Sequence, residues 1–286
     1  MDEVLAIDIG GTKTNVSFVK TEDLDIKVLN SEIFPTQKNP EIQIQKISSI
    51  YDLNSGSVDC LSLSLPGLWD ANGVLQESFF LHEWLNYPFI AQLKDELRIK
   101  KCIWETDVIC AALGEYHALD EYDSMLYINL GTGIGAALIV DGKPYKMNSK
   151  LTLRMQKLVL PFQDELFSGV DLISGGLSTQ LSGYPSIEAL FNDYKLASVE
   201  ALDFILKAQY QLAGWLINLF YLFSPDVIVL GGGLTNDWEV LAQGAIDIAY
   251  EELEGQVQIL PSKLRENAPI FGAYINYKEQ VEAKVT

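Results

Sequence analysis

Two short stretches rich in glycine and threonine each follow an apolar run, and each has the composition of a turn that holds phosphate. The first, Asp8-Ile9-Gly10-Gly11-Thr12-Lys13-Thr14, places a carboxylate at a strand end before glycines that let the backbone approach phosphate oxygens. In the second, Gly131-Thr132-Gly133-Ile134-Gly135, backbone N–H groups are exposed and the Thr132 hydroxyl can donate to a phosphate. A plain hairpin turn explains either stretch alone, but the repetition favours phosphate binding. The candidate phosphate ligands are Asp8, Gly10, Gly11, Thr12, Lys13, Gly131, Thr132 and Gly133.

Two further positions have the residue types for chemistry. Gly231-Gly232-Gly233 follows the apolar run VIVL, and it either packs against a flat adenine or ribose or forms a helix-entry turn. Asp107 stands at the start of a predicted helix, after Glu105 and Thr106. A carboxylate there can act as a general base or as a helix N-cap, and the residues alone favour neither.

The elements that position these residues form an internal repeat. VLAIDIG and NVSFVK predict a hairpin across Gly10-Gly11, and MLYINLGTG and AALIV predict a second one about 120 positions later, followed by a tight turn at Asp141-Gly142. Such a duplication implies two α/β halves with a cleft between them, each contributing one hairpin to the cleft.

The remaining pattern predicts alternating helices and strands. No element is predicted between the first hairpin and Pro40, and the passage from Lys146 to Tyr184 fits either strand or helix. The predicted helices are Pro40–Leu53, IAQLKDELRI, Asp107–Leu119, the region Ser186–Phe223, Trp238–Leu253 and Pro269–Val281, and the predicted strands are CLSLSL before Pro66-Gly67, KKCIWE, PDVIVLGGG and QVQILPS.

The charge balance limits the partners. The 286 residues include 39 acidic and 20 basic ones, a net charge of −19, so nucleic acid and anionic membranes are poor partners. A nucleotide would be held locally by backbone N–H groups and a metal ion, which makes Mg²⁺ an expected cofactor. The cysteines, Cys60, Cys102 and Cys110, form no CxxC pair and are expected in the core of a cytoplasmic protein. The start carries acids where a secretory signal would carry bases, so no export is expected. The longest apolar run, Leu212–Phe223, is shorter than the roughly 18 to 20 residues that span a bilayer.

Several motifs in order carry a resemblance to a known family. DIGGTK, LSLPG, ETDVICAALGE, NLGTGIGAALIVDGKPY, LFSGVDLI, SPDVIVLGGGL and APIFGA resemble the ROK family of sugar kinases and related repressors. The resemblance implies the α/β actin-like ATPase fold, with two ribonuclease-H-like domains closing around ATP·Mg²⁺. We expect these domains at 1–113 and 114–269, with a helix at about 270–286 packing back on the first. No room for a DNA-binding helix-turn-helix precedes Asp8, so the kinase branch is expected, often as a homodimer.

The same resemblance suggests residue roles. Asp107 matches the family's catalytic base, which would take the proton of the acceptor hydroxyl as the γ-phosphoryl group departs. Asp8 would help to position Mg²⁺ through water, and Lys13 would lie near the phosphates. The candidate contacts to a small carbohydrate-like substrate are Pro66, Gly67, Glu105 and Thr106.

The sequence departs from the family at the positions that grip the sugar. Thr106 stands where the family has Asn, and the position of another Asn falls on Phe80 or Leu81. After Tyr145 the chain lacks the family's Glu-x-Gly-His and its cysteine-rich zinc run. Because Zn²⁺ needs about four ligands, we predict no zinc site and expect His82 and His117 to be a surface residue and a helix residue.

Three functions remain open on the sequence. The first is an ATP-dependent kinase for a sugar or related hydroxyl compound with a rebuilt grip. Its candidate residues are Glu105, Thr106, Asn148, Arg154, Gln156 and Glu165. The second is a regulatory nucleotide-binding protein that no longer phosphorylates sugar. The third is another actin-fold activity, such as acyl phosphate chemistry or ATP hydrolysis coupled to a partner.

Overall fold

A computed structural model of the chain describes residues 3–22, 25–54, 58, 60–146, 157–162, 165–168, 173–174 and 181–282. Contacts divide the chain into two compact units. One consists of Met1–Gly114 together with Asn267–Thr286, and the other of Glu115–Glu266. Asn148, Arg154 and Gln156 lie outside the described residues, as does the side chain of Glu165.

The described strands, in chain order, are β1 Val4–Ile9, β2 Lys13–Glu22, β3 Asp25–Pro35, β4 Cys60–Leu65, β5 Leu68–Trp69, β6 Leu75–Glu77, β7 Lys101–Thr106, β8 Ser124–Leu130, β9 Ile134–Val140, β10 Lys143–Pro144, β11 Val159–Phe162, β12 Glu165–Ser168, β13 Val227–Gly231 and β14 Gln258–Pro261. The described α-helices are α1 Pro40–Leu53, α2 Phe89–Leu97, α3 Asp107–Leu119, α4 Ile187–Lys195, α5 Val199–Phe223, α6 Ala242–Leu253 and α7 Ala268–Glu282.

The first unit is built on a five-stranded sheet in the order β3-β2-β1-β4-β7. β1, β2 and β3 pair antiparallel, whereas β1, β4 and β7 are parallel. Alternate residues of β1 face opposite sides of the sheet. Leu5 and Ile7 pack in the apolar cluster that includes Ile47 of α1, and Val4 and Ala6 pack in another cluster with residues of α3 and α7. Both faces are therefore covered, which explains the nearly unbroken apolar run at the start of the chain.

The second unit repeats this arrangement. Its sheet has the order β10-β9-β8-β13-β14, with the first three strands antiparallel and β8, β13 and β14 parallel. Its core joins the sheet to residues of α4, α5 and α6 around the fully buried Trp215. Although α5 is 25 residues long, neither it nor any other helix among the described residues has a stretch long and apolar enough to span a membrane.

Most predicted elements are confirmed, including both hairpins and the bounds of α1 and α3. The turn after β9 places Asp141 at φ 50° and Gly142 at φ 75°, as a tight hairpin turn of this kind requires. Two predictions are wrong. The passage before Pro40 contains β3, an edge strand whose exposed side chains need no apolar alternation. The helix predicted from Trp238 begins at Ala242, because a 3₁₀ turn occupies Gly233–Asp237 and further turns precede the helix.

Candidate functional site

Three parallel strands of the first unit bring polar side chains to one edge of the sheet. Asp8 near the end of β1 is paired in register with Ser64 of β4, which is paired with Glu105 of β7. Ser64 is fully buried, and its hydroxyl donates to Asp8 Oδ1 at 2.6 Å. Because the carboxyl ends of parallel strands share an edge, the start of α3 at Asp107 lies at the same end as Asp8.

The turn after β1 is held by residues whose importance the sequence does not reveal. Gly10 N donates to Lys13 O at 2.9 Å and closes the turn. Thr36 binds the turn twice, because its N–H donates to Thr12 O at 3.0 Å and its hydroxyl to Gly10 O at 2.8 Å. The buried Gln43 of α1 donates to the Thr14 hydroxyl at 2.8 Å, which in turn bonds the Thr36 hydroxyl at 2.9 Å. The turn is therefore tied to α1 and to the end of β3.

Asp107 begins α3 directly after β7. Val108 N donates to its Oδ1 at 2.8 Å, so the carboxylate contributes to the helix start while remaining partly accessible. The neighbouring Thr106 hydroxyl is buried and has no hydrogen-bond partner in the structure. An unpaired buried hydroxyl is costly, so this one would be stabilised by any group that formed a hydrogen bond with it. Glu105 accepts a hydrogen bond from Thr106 N at 2.9 Å, which occupies one of its carboxylate oxygens within the protein.

The two aspartates are poorly solvated. Burial raises the pKa of Asp8 to about 7, against the hydrogen bond from Ser64, while nearby Asp107 raises it further and Lys13 lowers it. Burial likewise raises the pKa of Asp107 to about 6, opposed by backbone hydrogen bonds at the helix start. Asp107 begins α3 at the same edge of the sheet as Asp8, and its charge contributes to the raised pKa of Asp8. Two raised carboxyl pKa values near neutrality are typical of sites that exchange protons or bind cations.

Two glycines at this edge of the sheet leave room for other residues of the first unit, because they have no side chain. A Cβ at Gly11 would lie 2.6 Å from Cγ of Phe80, so the absent side chain makes room for that ring. Gly67, which follows β4 and the buried Pro66, has φ +90°, and a Cβ there would lie 2.3 Å from the Glu77 carbonyl oxygen. Both glycines are explained by packing within the chain.

The second turn lies in the second unit, between β8 and β9. Gly131 N donates to Gly133 O at 3.0 Å, and Thr132 between them is exposed. A Cβ at Gly131 would meet no atom closer than 3.5 Å, so the space in front of this backbone is open. Asn129 of β8 stands at the position that Asp8 occupies in the first hairpin and is paired in register with Gly231. The second hairpin thus carries an amide where the first has a carboxylate.

The three glycines after β13 are not equivalent. A Cβ at Gly231 would lie 2.3 Å from the hydroxyl of the buried Tyr127, and one at Gly232, where φ is +90°, would lie 2.3 Å from Leu130 O. Gly233 is exposed and has nothing within 4 Å of its Cβ position. Of the three, Gly233 alone leaves space for a flat ligand.

The first unit is better suited to Mg²⁺, which takes few protein ligands, than to a metal ion held entirely by protein side chains. Among the described residues no group of three or more His, Cys, Asp or Glu could hold an ion by itself. Mg²⁺ is commonly held by one or two carboxylates together with water and phosphate oxygens. The carboxylate of Asp8, whose ionised form is disfavoured by burial, is the group that a cation would stabilise.

Comparison with known proteins identifies the family. A family model described as ROK family matches residues 4–148 and 177–280. The chain belongs to the ROK family. This ROK protein is 32% identical to an uncharacterized protein of Clostridium perfringens over 96% of the chain and 97% of that relative. It is 27% identical to an N-acetyl-D-glucosamine kinase of Vibrio parahaemolyticus, with 87% of each chain covered.

Solved structures show the fold. The ROK hexokinase of Thermus thermophilus aligns with a TM-score of 0.81 at 22% identity, over 98% of this chain and 99% of that one. A ROK family glucokinase of Streptomyces griseus, in complex with glucose and AMPPNP, aligns with a TM-score of 0.77 at 18% identity, over 95% and 97% of the two chains. This ROK protein therefore has the predicted actin-like ATPase fold, in agreement with its two sheets of equal strand order.

The structure groups the predicted site residues of this ROK protein by unit. Asp8, Gly10, Gly11, Thr12, Lys13, Pro66, Gly67, Glu105, Thr106 and Asp107 lie in the first unit, and Gly131, Thr132, Gly133, Gly231, Gly232 and Gly233 in the second. Ser64, Thr36 and Gln43 were not among the predicted site residues. The alternation in CLSLSL placed Ser64 on a strand, but only its register with Asp8 shows what it contacts.

Proposed function

We propose that this protein transfers the γ-phosphoryl group of ATP to a hydroxyl of a sugar or sugar derivative. The observation that carries the proposal is Asp107, a poorly solvated carboxylate with a pKa of about 6 next to the unpartnered hydroxyl of Thr106. Membership of a family that includes named sugar kinases supports the same reaction.

Asp107 would act as the general base. A carboxylate with a pKa of about 6 is ionised at neutral pH and is a stronger proton acceptor than an ordinary aspartate. It would accept the proton of the attacking hydroxyl during transfer of the phosphoryl group. The Thr106 hydroxyl would form a hydrogen bond with the attacking hydroxyl and orient that group toward Asp107. The same bond would give the Thr106 hydroxyl, which is otherwise unpaired, a partner.

Asp8 would help to hold the Mg²⁺ ion that accompanies the phosphates of the nucleotide. Bound Mg²⁺ neutralises charge on the phosphates during transfer. Ser64 fixes one carboxylate oxygen of Asp8 by its 2.6 Å hydrogen bond and thereby sets the direction of the other. Lys13, whose charge acts on Asp8, adds a cation on the same turn.

The turn Gly131–Gly133 in the second unit would bind phosphate oxygens through its backbone N–H groups and the exposed Thr132 hydroxyl. The open space in front of Gly131 supports this assignment. Gly233, open in the same way, would lie against the adenine or ribose. Gly231 and Gly232 would act indirectly, by allowing the backbone to pass Tyr127 and Leu130.

The test is a phosphoryl-transfer screen that measures ADP formation with ATP and Mg²⁺. The acceptors are glucose, fructose, mannose, N-acetylglucosamine, N-acetylmannosamine and two non-sugar polyols, and the matched control is Asp107→Asn, which keeps the size and the Val108 hydrogen bond. We expect the wild-type protein to transfer phosphate to at least one sugar. In the Asp107→Asn variant the rate of this transfer should fall by about 10² to 10⁴-fold, because a general base has been removed.

Three outcomes would contradict the proposal. ADP formation that is independent of any acceptor would exclude phosphoryl transfer to a sugar hydroxyl, and equal ADP formation in the Asp107→Asn variant would exclude Asp107 as the base. ATP binding by calorimetry without transfer to any acceptor would favour a regulatory nucleotide-binding protein instead.

A further inference from the structure

Thr36, the residue after β3, holds two carbonyl groups of the turn between β1 and β2. Its hydroxyl donates to Gly10 O at 2.8 Å, and its backbone N–H donates to Thr12 O at 3.0 Å. A third carbonyl at this turn, that of Lys13, accepts from Gly10 N at 2.9 Å. Three carbonyl oxygens of a turn that is proposed to lie near phosphate are therefore engaged within the protein.

These contacts set the direction of the peptide group between Gly10 and Gly11. In a trans peptide group the C=O and N–H bonds point to opposite sides. Because the Gly10 carbonyl is turned toward Thr36, the Gly11 N–H is turned to the opposite side of the turn. A carbonyl oxygen repels a phosphate oxygen, whereas an N–H group attracts it. The direction of this one peptide group therefore decides whether the turn attracts or repels phosphate at this point.

Side-chain packing does not fix this peptide group. A Cβ at Gly10 would lie 3.0 Å from Lys13 O, and a Cβ at Gly11 would lie 2.6 Å from Phe80 Cγ, so packing favours glycine at both positions. Glycine, however, adopts positive and negative φ angles with nearly equal ease. A peptide group between two glycines can therefore rotate with little steric resistance, and its direction depends on the hydrogen bond from Thr36.

The Thr36 hydroxyl is itself oriented by a chain of hydrogen bonds that passes through α1. Gln37 N donates to Oε1 of the fully buried Gln43 at 2.8 Å, and Nε2 of Gln43 donates to the Thr14 hydroxyl at 2.8 Å. The Thr14 and Thr36 hydroxyl oxygens are 2.9 Å apart. Because the one hydroxyl hydrogen of Thr36 is used on Gly10 O, Thr14 is the donor in this pair. Every bond of the chain thus points toward the Gly10 carbonyl, and hydrogen bonds aligned in this way strengthen one another.

We propose that Thr36 is a positioning residue for the nucleotide, which it serves by holding the peptide group between Gly10 and Gly11 with its N–H toward the phosphates. Thr36 acts through the turn and needs no contact with the ligand. The inference rests on the part of the proposed function that assigns a nucleotide to this turn. It gives the first unit one oriented backbone donor in addition to the side chains of Asp8 and Asp107.

The test is the affinity of Thr36→Val for ATP·Mg²⁺, measured by calorimetry. Valine keeps the shape of threonine and the backbone bond to Thr12 but lacks the hydroxyl that holds Gly10. The Kd should rise about three- to tenfold, the scale of one hydrogen bond, whereas Thr36→Ser, which keeps the hydroxyl, should stay within about twofold of the wild type. Thr21→Val is the matched control, because it removes a 2.7 Å hydrogen bond to the Tyr274 hydroxyl near the other end of β2.

Two further measurements separate positioning from a general loss of structure. The Tm without nucleotide should fall by a similar amount in the two valine variants, since each loses one hydroxyl, while only Thr36→Val should lose affinity for ATP. Where transfer to a sugar is measured, Thr36→Val should raise the KM of ATP by the same factor as the Kd and leave the KM of the sugar unchanged.

The outcomes separate this inference from the proposed function. Wild-type affinity for ATP in Thr36→Val, an equal loss of affinity in Thr21→Val, or a failure of Thr36→Ser to restore binding would overturn the inference and leave the kinase assignment intact. Binding of ATP that Thr36→Val weakens and Thr36→Ser restores, without transfer to any acceptor, would support the inference and contradict the kinase assignment. A wild-type protein that binds no ATP·Mg²⁺ would overturn both.

Discussion

Replacing Asp107 by Asn should stabilise the protein while removing the proposed phosphoryl transfer. The raised pKa of Asp107 means that the ionised carboxylate is less stable in the folded chain than in the unfolded one. Asparagine has nearly the same shape and can still accept the hydrogen bond from Val108 N, which measures 2.8 Å. The substitution therefore removes a buried charge without removing the contact that starts α3.

The size of the effect follows from the shift. The pKa rises from 3.8 to about 6 on folding, and one pKa unit corresponds to about 1.4 kcal/mol, so the ionised carboxylate costs about 3 kcal/mol at most. Because the folded pKa is the higher one, this cost is complete above about pH 6 and disappears as the pH falls toward the unfolded value. The advantage of Asp107→Asn should be about 3 kcal/mol near pH 8 and about half of that near pH 5.

The assay is thermal unfolding of both proteins near pH 8 and pH 5, followed by ADP release with the best acceptor. The variant should have the higher Tm at pH 8, a smaller advantage at pH 5, and transfer reduced by about 10² to 10⁴-fold. In the wild type, transfer should decline as the pH falls through about 6, because the base becomes protonated. A variant less stable than the wild type at pH 8 would refute the claim that the carboxylate is held at a cost to stability.

Further predictions concern Ser64, two glycines at the end of β13, and Glu115 of α3. Ser64→Ala removes the donor at 2.6 Å from the carboxylate of the first turn and should raise the Mg²⁺ concentration needed for ATP binding several-fold in calorimetry, whereas Ser64→Thr should restore it. Gly231→Ala would place a Cβ 2.3 Å from a buried tyrosine hydroxyl and should cost about 1 to 3 kcal/mol of stability in urea unfolding. Gly233→Ala should leave stability unchanged but weaken ATP binding, and equal effects of the two substitutions on stability would contradict this distinction. Glu115→Ala removes a buried carboxylate that accepts three hydrogen bonds from residues 262–264, so the variant should unfold about 3 kcal/mol more easily, and a smaller loss than 1 kcal/mol would contradict that role.

Much of the fold can be predicted from local patterns. The bounds of α1 follow from Asn39, whose side chain accepts from Glu41 N at 2.8 Å, and from Pro40 at the first helical position. The repeated hairpins identify the duplication, and the confirmed family resemblance supplies the strand order that joins them. By contrast, β3 has mostly exposed side chains, so its pairing with β2 leaves no apolar period to detect.

The contacts that shape the site depend on register and on long-range packing. Ser64 lies in a strand whose residues are all buried, so alternation cannot show that its hydroxyl meets Asp8. Phe80 is far from Gly11 in sequence, and their contact appears only when the chain is folded. The sequence showed that the family's amide is missing near Trp84, but it could not show that an aromatic ring packs against the turn after β1.

The space around each glycine changes what a glycine-rich motif implies. All three glycine-rich stretches were predicted to contact a nucleotide because glycine allows close approach, yet the space at Gly11 is taken by Phe80 and the space at Gly231 by Tyr127. Gly131 and Gly233 have no such neighbour. If missing side chains serve a ligand only where the space remains open, we expect the second unit to supply most of the backbone contacts to a nucleotide. The first unit would then act chiefly through side chains, with Asp8 for the metal and Asp107 for the proton.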